Sequence, residues 1–136
     1  SMAEHLSAEF VGRFKLSDRR PLNSISLSSE VSLITAIAND FSFSDIFSRQ
    51  LEGLGSKEDV LIVLSTSGSS ENIINALKKS KELGISSVAF LGKDGGLCKS
   101  LADYKIIIDT NETATIQECH LLIGHIICDL IDETFV

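Results

Sequence analysis

Apolar residues in this chain recur with two periods, and the switches between them lay out the elements. Leu6, Phe10 and Phe14 fall at i, i+4 and i+8 beside a polar row of His5, Glu9 and Arg13. That pattern predicts an amphipathic helix over residues 1–14. A charged stretch over 15–22 holds the only proline, Pro21, and reads as a loop. Ile25 and Leu27 alternate with polar neighbours across 23–27, the period of a short strand. Ser28 and Ser29 are placed to cap a helix from Glu30 to about Asn39. A further helical piece starts near Ser44-Asp45 and reaches Leu51, with Gly53 and Gly55 ending it.

From Asp59 the rhythm becomes regular. Residues 59–64 read as a buried strand, 65–70 as a hydroxyl-rich turn, and 71–83 as an amphipathic helix with Ile73, Ile74, Ala76, Leu77 and Leu83 inside, closed by Gly84. A strand over 85–91, a glycine-rich turn over 92–96, a short helix over 97–102, a strand over 104–108 and a long helix from Thr113 to about Asp132 follow. Strand, turn and helix in this alternation predict an α/β domain with parallel strands and helices on both faces. Ligands of such sheets sit at the carboxyl ends of the strands, which points to the turn after Leu64.

The 136 residues amount to one domain, and 43% hydrophobic content is that of a chain with a real core. No uninterrupted apolar run has bilayer-spanning length, so no membrane partner is expected. A net charge of −7 repels nucleic acid, so an anionic ligand must be caught by local donors. Cys98, Cys119 and Cys128 are odd in number and form no CxxC pair, which reads as reduced thiols of a cytosolic protein.

The run Ser65-Thr66-Ser67-Gly68-Ser69-Ser70-Glu71 follows a buried strand and opens a helix. A helix N-terminus presents unpaired N–H groups and partial positive charge. Hydroxyls of Ser65, Thr66, Ser67 and Ser70 add donors, and Gly68 lets the backbone come close. One such serine would merely cap. At this density the turn reads as a phosphate cradle that needs no lysine. It is neither a Walker A loop nor a dinucleotide GxGxxG fingerprint. Gly92-Lys93-Asp94-Gly95-Gly96 reads as a tight turn beside it.

His5 and Glu9 share a helical face at i, i+4, which suits either a surface pair or a site. Gln117 and His125 lie eight apart on the last helix, on roughly one side, with Gly124 leaving room beside His125. His125 among Ile123, Ile126 and Ile127 also fits a core histidine, as His120 does. Together, His5, Glu9, Gln117 and His125 suit proton transfer or one divalent metal. The spacing HxxxE is not the HExxH of metalloproteases.

The blocks His5-Leu-Ser-Ala-Glu9-Phe-Val-Gly-Arg13-Phe, Ala38-Asn39-Asp40-Phe41, Asp45-Ile-Phe-Ser-Arg49, Ser65-Thr-Ser-Gly-Ser-Ser70, Gly92-Lys-Asp-Gly-Gly96 and Ile116-Gln117-Glu118 with His125 occur in order. Over almost the whole chain this resembles the phosphoheptose isomerases, sugar isomerase (SIS) domain proteins. The resemblance implies a three-layer sandwich with a mostly parallel sheet, of flavodoxin-like type. It implies conversion of D-sedoheptulose 7-phosphate to D-glycero-D-manno-heptose 7-phosphate through a cis-enediol, the first step of ADP-heptose biosynthesis in the bacterial cytoplasm. It makes Glu9 the base and His125 the partner acid. Ser65, Thr66, Ser67 and Ser70 then hold phosphate, Asp40 and Gln117 contact the sugar, and Arg13 steadies Glu9 or the substrate. A homotetramer with shared active sites, a zinc ion on His5, Glu9, Gln117 and His125, and no organic cofactor complete the expectation.

Two departures accompany the resemblance. The family's leading helix, first strand and Gly-Asn-Gly-Gly-Ser turn are missing ahead of His5, so the chain reads as an N-terminally incomplete SIS domain. Thr115 also stands where the family often has Arg. The competing expectation is a non-catalytic SIS-domain regulator of the type that associates with the DnaA initiator, or an isomerase of another sugar phosphate. The regulator lacks the Glu and second His that Glu9 and His125 supply here.

Overall fold

The computed structural model describes residues 1–135. In chain order the elements are α1 (Met2–Val11), α2 (Val31–Asp40), a 3₁₀ turn (Phe43–Asp45), α3 (Ser48–Leu54), β1 (Val60–Ser65), α4 (Glu71–Leu83), β2 (Ser86–Gly92), α5 (Cys98–Leu101), β3 (Tyr104–Ile108) and α6 (Thr113–Thr134). The strands form a parallel sheet in the order β1-β2-β3, with Val63 opposite Ala89 and Phe90 opposite Ile106.

Strand alternation sorts the two faces. Leu61, Val63, Ala89 and Leu91 point one way and pack with Ile74, Ala76 and Leu77 of α4 in the main core. Phe90, of opposite parity, turns to the other face, where its ring lies 5.8 Å from that of His120 on α6. Gly92 shares that face, and Ile116 fills the space a side chain there would need. Helix, sheet and helix are therefore the three layers expected of the α/β reading. α4 ends as the pattern predicts, at Gly84 in the left-handed conformation (φ 71°), where its N–H reaches back to the carbonyls of Ser80 and Lys81.

α6 buries a strict i+4 row of Ile116, His120, Gly124, Cys128 and Asp132. The opposite side of the helix carries Leu122, Ile126 and Leu130, each at least half exposed (61%, 50% and 58%). Contrary to the sequence expectation, α6 has the length and apolarity of a bilayer-crossing helix, 22 residues with a mean hydropathy of 1.3. Its buried row shows it packed across the sheet and α1 instead.

Four local expectations need correction. Residues 23–27 form no strand. The sheet's described strands offer them no ladder, and the segment is tied down by side chains such as Gln50, whose Nε2 donates to the Leu27 carbonyl at 2.9 Å. Ser28 and Ser29 do not cap α2: Ser28 Oγ turns to Ser26 and Glu4, Ser29 Oγ to the Ser26 carbonyl, and Glu30 takes the N-cap position without a side-chain bond. Gly53 lies inside α3, which Gly55 ends in an extended conformation. Ser1 caps α1 in a capping box with Glu4, and the helix stops at Val11 rather than at Phe14.

Candidate active site

The cradle forms where β1 meets α4. Ser65 is buried at the strand end, and its Oγ accepts the Gly68 amide at 3.1 Å and reaches Ser70 Oγ at 3.4 Å. Gly68 takes φ 64°, and the space its Cβ would need is filled by the Gly95 carbonyl. A Cβ on Gly96 would in turn meet the Gly68 oxygen at 2.5 Å. The Cys98 amide donates to that same Gly68 carbonyl at 2.9 Å. The Gly92–Gly96 turn thus buttresses the Ser65–Ser70 turn, backbone against backbone. Ser70 is the N-cap of α4, yet no side chain caps that helix, so its first amides stay available to an anion. Thr66 and Ser67 are half-buried, and Ser70 is exposed.

The residues expected to carry acid–base work gather on α1 and α6. Leu6 packs into the notch left by Gly124, which lets the two helices approach. His5 and His125 then meet Nε2 to Nε2 at 2.9 Å, and Glu9 Oε1 lies 3.4 Å from His5 Nε2. The Phe14 ring stacks on His125 at 5.3 Å between centroids. Ligand atoms of His5, Glu9 and His125 all lie within 4.8 Å of one another. This donor set, two imidazoles and a carboxylate, fits the three protein ligands of a catalytic zinc site with one position left open. His120 has the core role: its ring nitrogen bonds the Leu91 carbonyl at 2.9 Å.

Other predicted residues lie apart from this cluster. Gln117 is exposed two turns earlier on α6, roughly 12 Å of axial rise from His125. Asp40 is exposed at the end of α2, on a groove shared with Phe41 and Arg49, where the guanidinium lies 3.7 Å from the Phe41 ring centroid. Arg13 is exposed beyond α1, with no hydrogen bond to Glu9 among the described residues.

Sequence reasoning missed the contact that holds Glu9's helix in place. Arg19, buried, donates through Nη2 to the Glu9 carbonyl at 2.8 Å and through Nη1 to the Phe10 carbonyl at 3.0 Å, while its Nε bonds Asp132 of α6. A signal did exist: Asp132 occupies an inward position of the i+4 row on α6, where a carboxylate needs a cation. Nearby, burial pushes the Cys128 thiol up to about 11, with Glu9 and Asp132 adding negative charge. Cys128 is thus an inert thiol, and all three cysteines are free.

The SIS domain family matches residues 1–92. The phosphoheptose isomerase of a Nitratiruptor species is 51% identical over 133 residues, covering 98% of this chain and 71% of that protein. The phosphoheptose isomerase of Helicobacter pylori is 48% identical over 135 residues, covering 99% and 70%. Among solved structures, a phosphoheptose isomerase from Francisella tularensis superposes with a TM-score of 0.93 at 36% identity, covering 97% of this chain and 70% of that one. Phosphoheptose isomerase GmhA from Neisseria gonorrhoeae gives 0.88 at 38% identity, covering 96% and 69%.

Proposed function

We propose how this chain, which belongs to the phosphoheptose isomerases of the SIS domain family, divides its reaction among its residues. The chain is an isomerase that converts D-sedoheptulose 7-phosphate to D-glycero-D-manno-heptose 7-phosphate. A ketose becomes an aldose when a carbon-bound proton moves to the neighbouring carbon through a cis-enediol. Glu9 lifts and returns that proton, and His125 serves the sugar oxygens as partner acid. Each positioned group of this kind contributes roughly 10²–10⁴-fold. The observation that carries the reading is the convergence of Glu9 with His5 and His125 within 4.8 Å in a chain of this family.

The hydroxyls of Ser65, Thr66, Ser67 and Ser70 with the open amides of α4 hold the phosphate, so that binding energy remote from the reacting carbons serves orientation. Asp40 and Gln117 contact the sugar, and Arg13 faces the substrate. His5, Glu9 and His125 would hold zinc, and Gln117, two turns away on the same helix as His125, would join them only from a second copy of the chain. A zinc ion there supplies polarisation of the sugar carbonyl. No organic cofactor is required by this chemistry.

The active sites are shared between copies of the chain in a homotetramer. α6 leaves the carboxyl end of β2 at Ile116 and carries His125 nine residues away, roughly 14 Å along its axis. The acid–base cluster of one chain therefore recedes from its own cradle. The exposed Leu122, Ile126 and Leu130 row supplies an apolar face for the second copy. The product feeds ADP-heptose for lipopolysaccharide and related glycans in the bacterial cytoplasm.

The test follows sedoheptulose 7-phosphate by NMR with the full-length protein and its Glu9→Gln variant. Heptose 7-phosphate formed by the unaltered protein alone supports both the reaction and the base. Equal turnover by Glu9→Gln removes Glu9 from the role. No turnover by either overturns the reaction.

A further inference from the structure

The Arg19–Asp132 pair is the most completely buried ion pair among the described residues, with side chains 1% and 2% exposed. It is also nearly saturated. The guanidinium uses four of its five N–H donors: Nε to Asp132 Oδ1, Nη1 to the carbonyls of Phe10 and Arg20 at 3.0 and 2.8 Å, and Nη2 to the Glu9 carbonyl at 2.8 Å. The other carboxylate oxygen, Oδ2, accepts the amides of Lys15 and Leu16 at 2.9 and 3.0 Å.

The partners on each side give the pair its direction. Glu9 and Phe10 lie in the last turn of α1, whose final carbonyls have no partner within the helix and favour a cation. Arg19 returns from the following loop to cap them. Asp132 stands seven residues, two helical turns, beyond His125 on α6. One ion pair thus ties the backbone of Glu9 to the helix that carries His125. Apart from the His5–His125 contact itself, the other close seam described between these helices, Leu6 in the Gly124 notch, is apolar and lies on the far side of Glu9. An apolar contact sets a distance without a direction, whereas the forked guanidinium fixes both through its directional hydrogen bonds.

We propose that Arg19 and Asp132 are positioning residues for the isomerisation: the pair fixes Glu9 against His125 without touching the substrate. A buried ion pair adds little net stability over apolar replacements, so its value here is geometric. The inference rests on the reading of Glu9 and His125 as the reacting pair. Misplacement of a reacting group by about 1 Å costs on the order of 100-fold in rate.

The experiment compares full-length wild type with Arg19→Lys and Asp132→Asn in kcat, KM and thermal midpoint, with Ile74→Val in the sheet core as a control for lost stability. Arg19→Lys keeps the buried charge and loses the fork, so it serves where Asp132→Asn does not fold. The expected result is a kcat lowered roughly 10- to 100-fold with KM within about twofold, because the cradle is untouched, and an unchanged kcat in Ile74→Val. The second readout needs no turnover: the ring C–H NMR shifts of His5 and His125 move in Arg19→Lys, while those of His120, on the same helix, stay. A folded Arg19→Lys with wild-type kcat and unmoved His5 and His125 shifts overturns the proposal. So does an equal kcat loss in Ile74→Val. Wild type without turnover counts against the isomerase reading, and the histidine shifts then decide the positioning on their own.

Discussion

His5 and His125, 120 residues apart, face each other Nε2 to Nε2 at 2.9 Å. Two imidazoles in that geometry share one proton: one ring donates and the other accepts. A divalent cation requires both lone pairs and the Glu9 carboxylate close by. We predict that the full-length protein binds Zn²⁺ in equilibrium dialysis and that His125→Ala weakens it by more than about tenfold, the loss that even an outer-shell change at a metal site brings. No zinc retained by the wild type removes the metal from the mechanism.

Gly68 is the residue on which the cradle turns. Its φ of 64° and the Gly95 carbonyl in its side-chain space leave no room for a methyl group. Gly68→Ala is expected to raise KM at least tenfold and to weaken inorganic phosphate binding by a similar factor, with the Glu9 cluster unaltered. Calorimetry with phosphate checks this, and unchanged affinity would show that the anion sits elsewhere.

Gly124→Ala places a Cβ 2.6 Å from Leu6 Cδ2. Leu6 is buried and must yield, at a cost of about 1–3 kcal/mol. The thermal midpoint should fall and kcat with it, since α1 is pushed off α6. Adding Leu6→Val should recover part of both. A wild-type midpoint in Gly124→Ala would mean that the seam repacks freely.

Asp132 sets an acid limit on stability. The Leu16 amide, assisted by the Lys15 amide and Arg19, holds its carboxyl below the ordinary value of 3.8, against the opposing effect of burial. A depressed folded value means that the contribution is complete above that ordinary value and is lost as pH falls through the lower folded one. Thermal midpoints taken from pH 6 down to pH 3 should therefore drop more steeply for wild type than for Asp132→Asn. Parallel curves would show that other groups govern acid unfolding.

The row of Leu122, Ile126 and Leu130 lies opposite the buried row of α6. Ile126→Glu should shift the full-length protein toward smaller species in light scattering and reduce turnover with it. An unchanged mass would place the contact on another face.

The regular half of the fold was legible because period and punctuation agree there. The 71–83 helix with Gly84 and the 104–108 strand stand in the structure at the predicted residues. The first half misled where a local pattern had competing partners. Ile25 and Leu27 alternate like a strand but have no neighbour to pair with among the described residues, and Ser28 bonds Ser26 and Glu4 rather than the start of α2. For the site, residue types picked out His5, Glu9 and His125, and the structure brings these three together. The bond between Arg19 and Asp132 spans 113 residues, and no spacing rule reaches that far. Only the carboxylate on the inward row of α6 hinted at it.

Beside its hydroxyls, the proposed cradle offers main-chain N–H groups of α4 and glycines packed backbone to backbone. Most side-chain substitutions cannot delete an amide. On the proposed reading, sequence drift around the sugar end of the pocket can therefore proceed while the phosphate handle persists. A lineage carrying this turn is free to explore new sugars without first reinventing how to grip them.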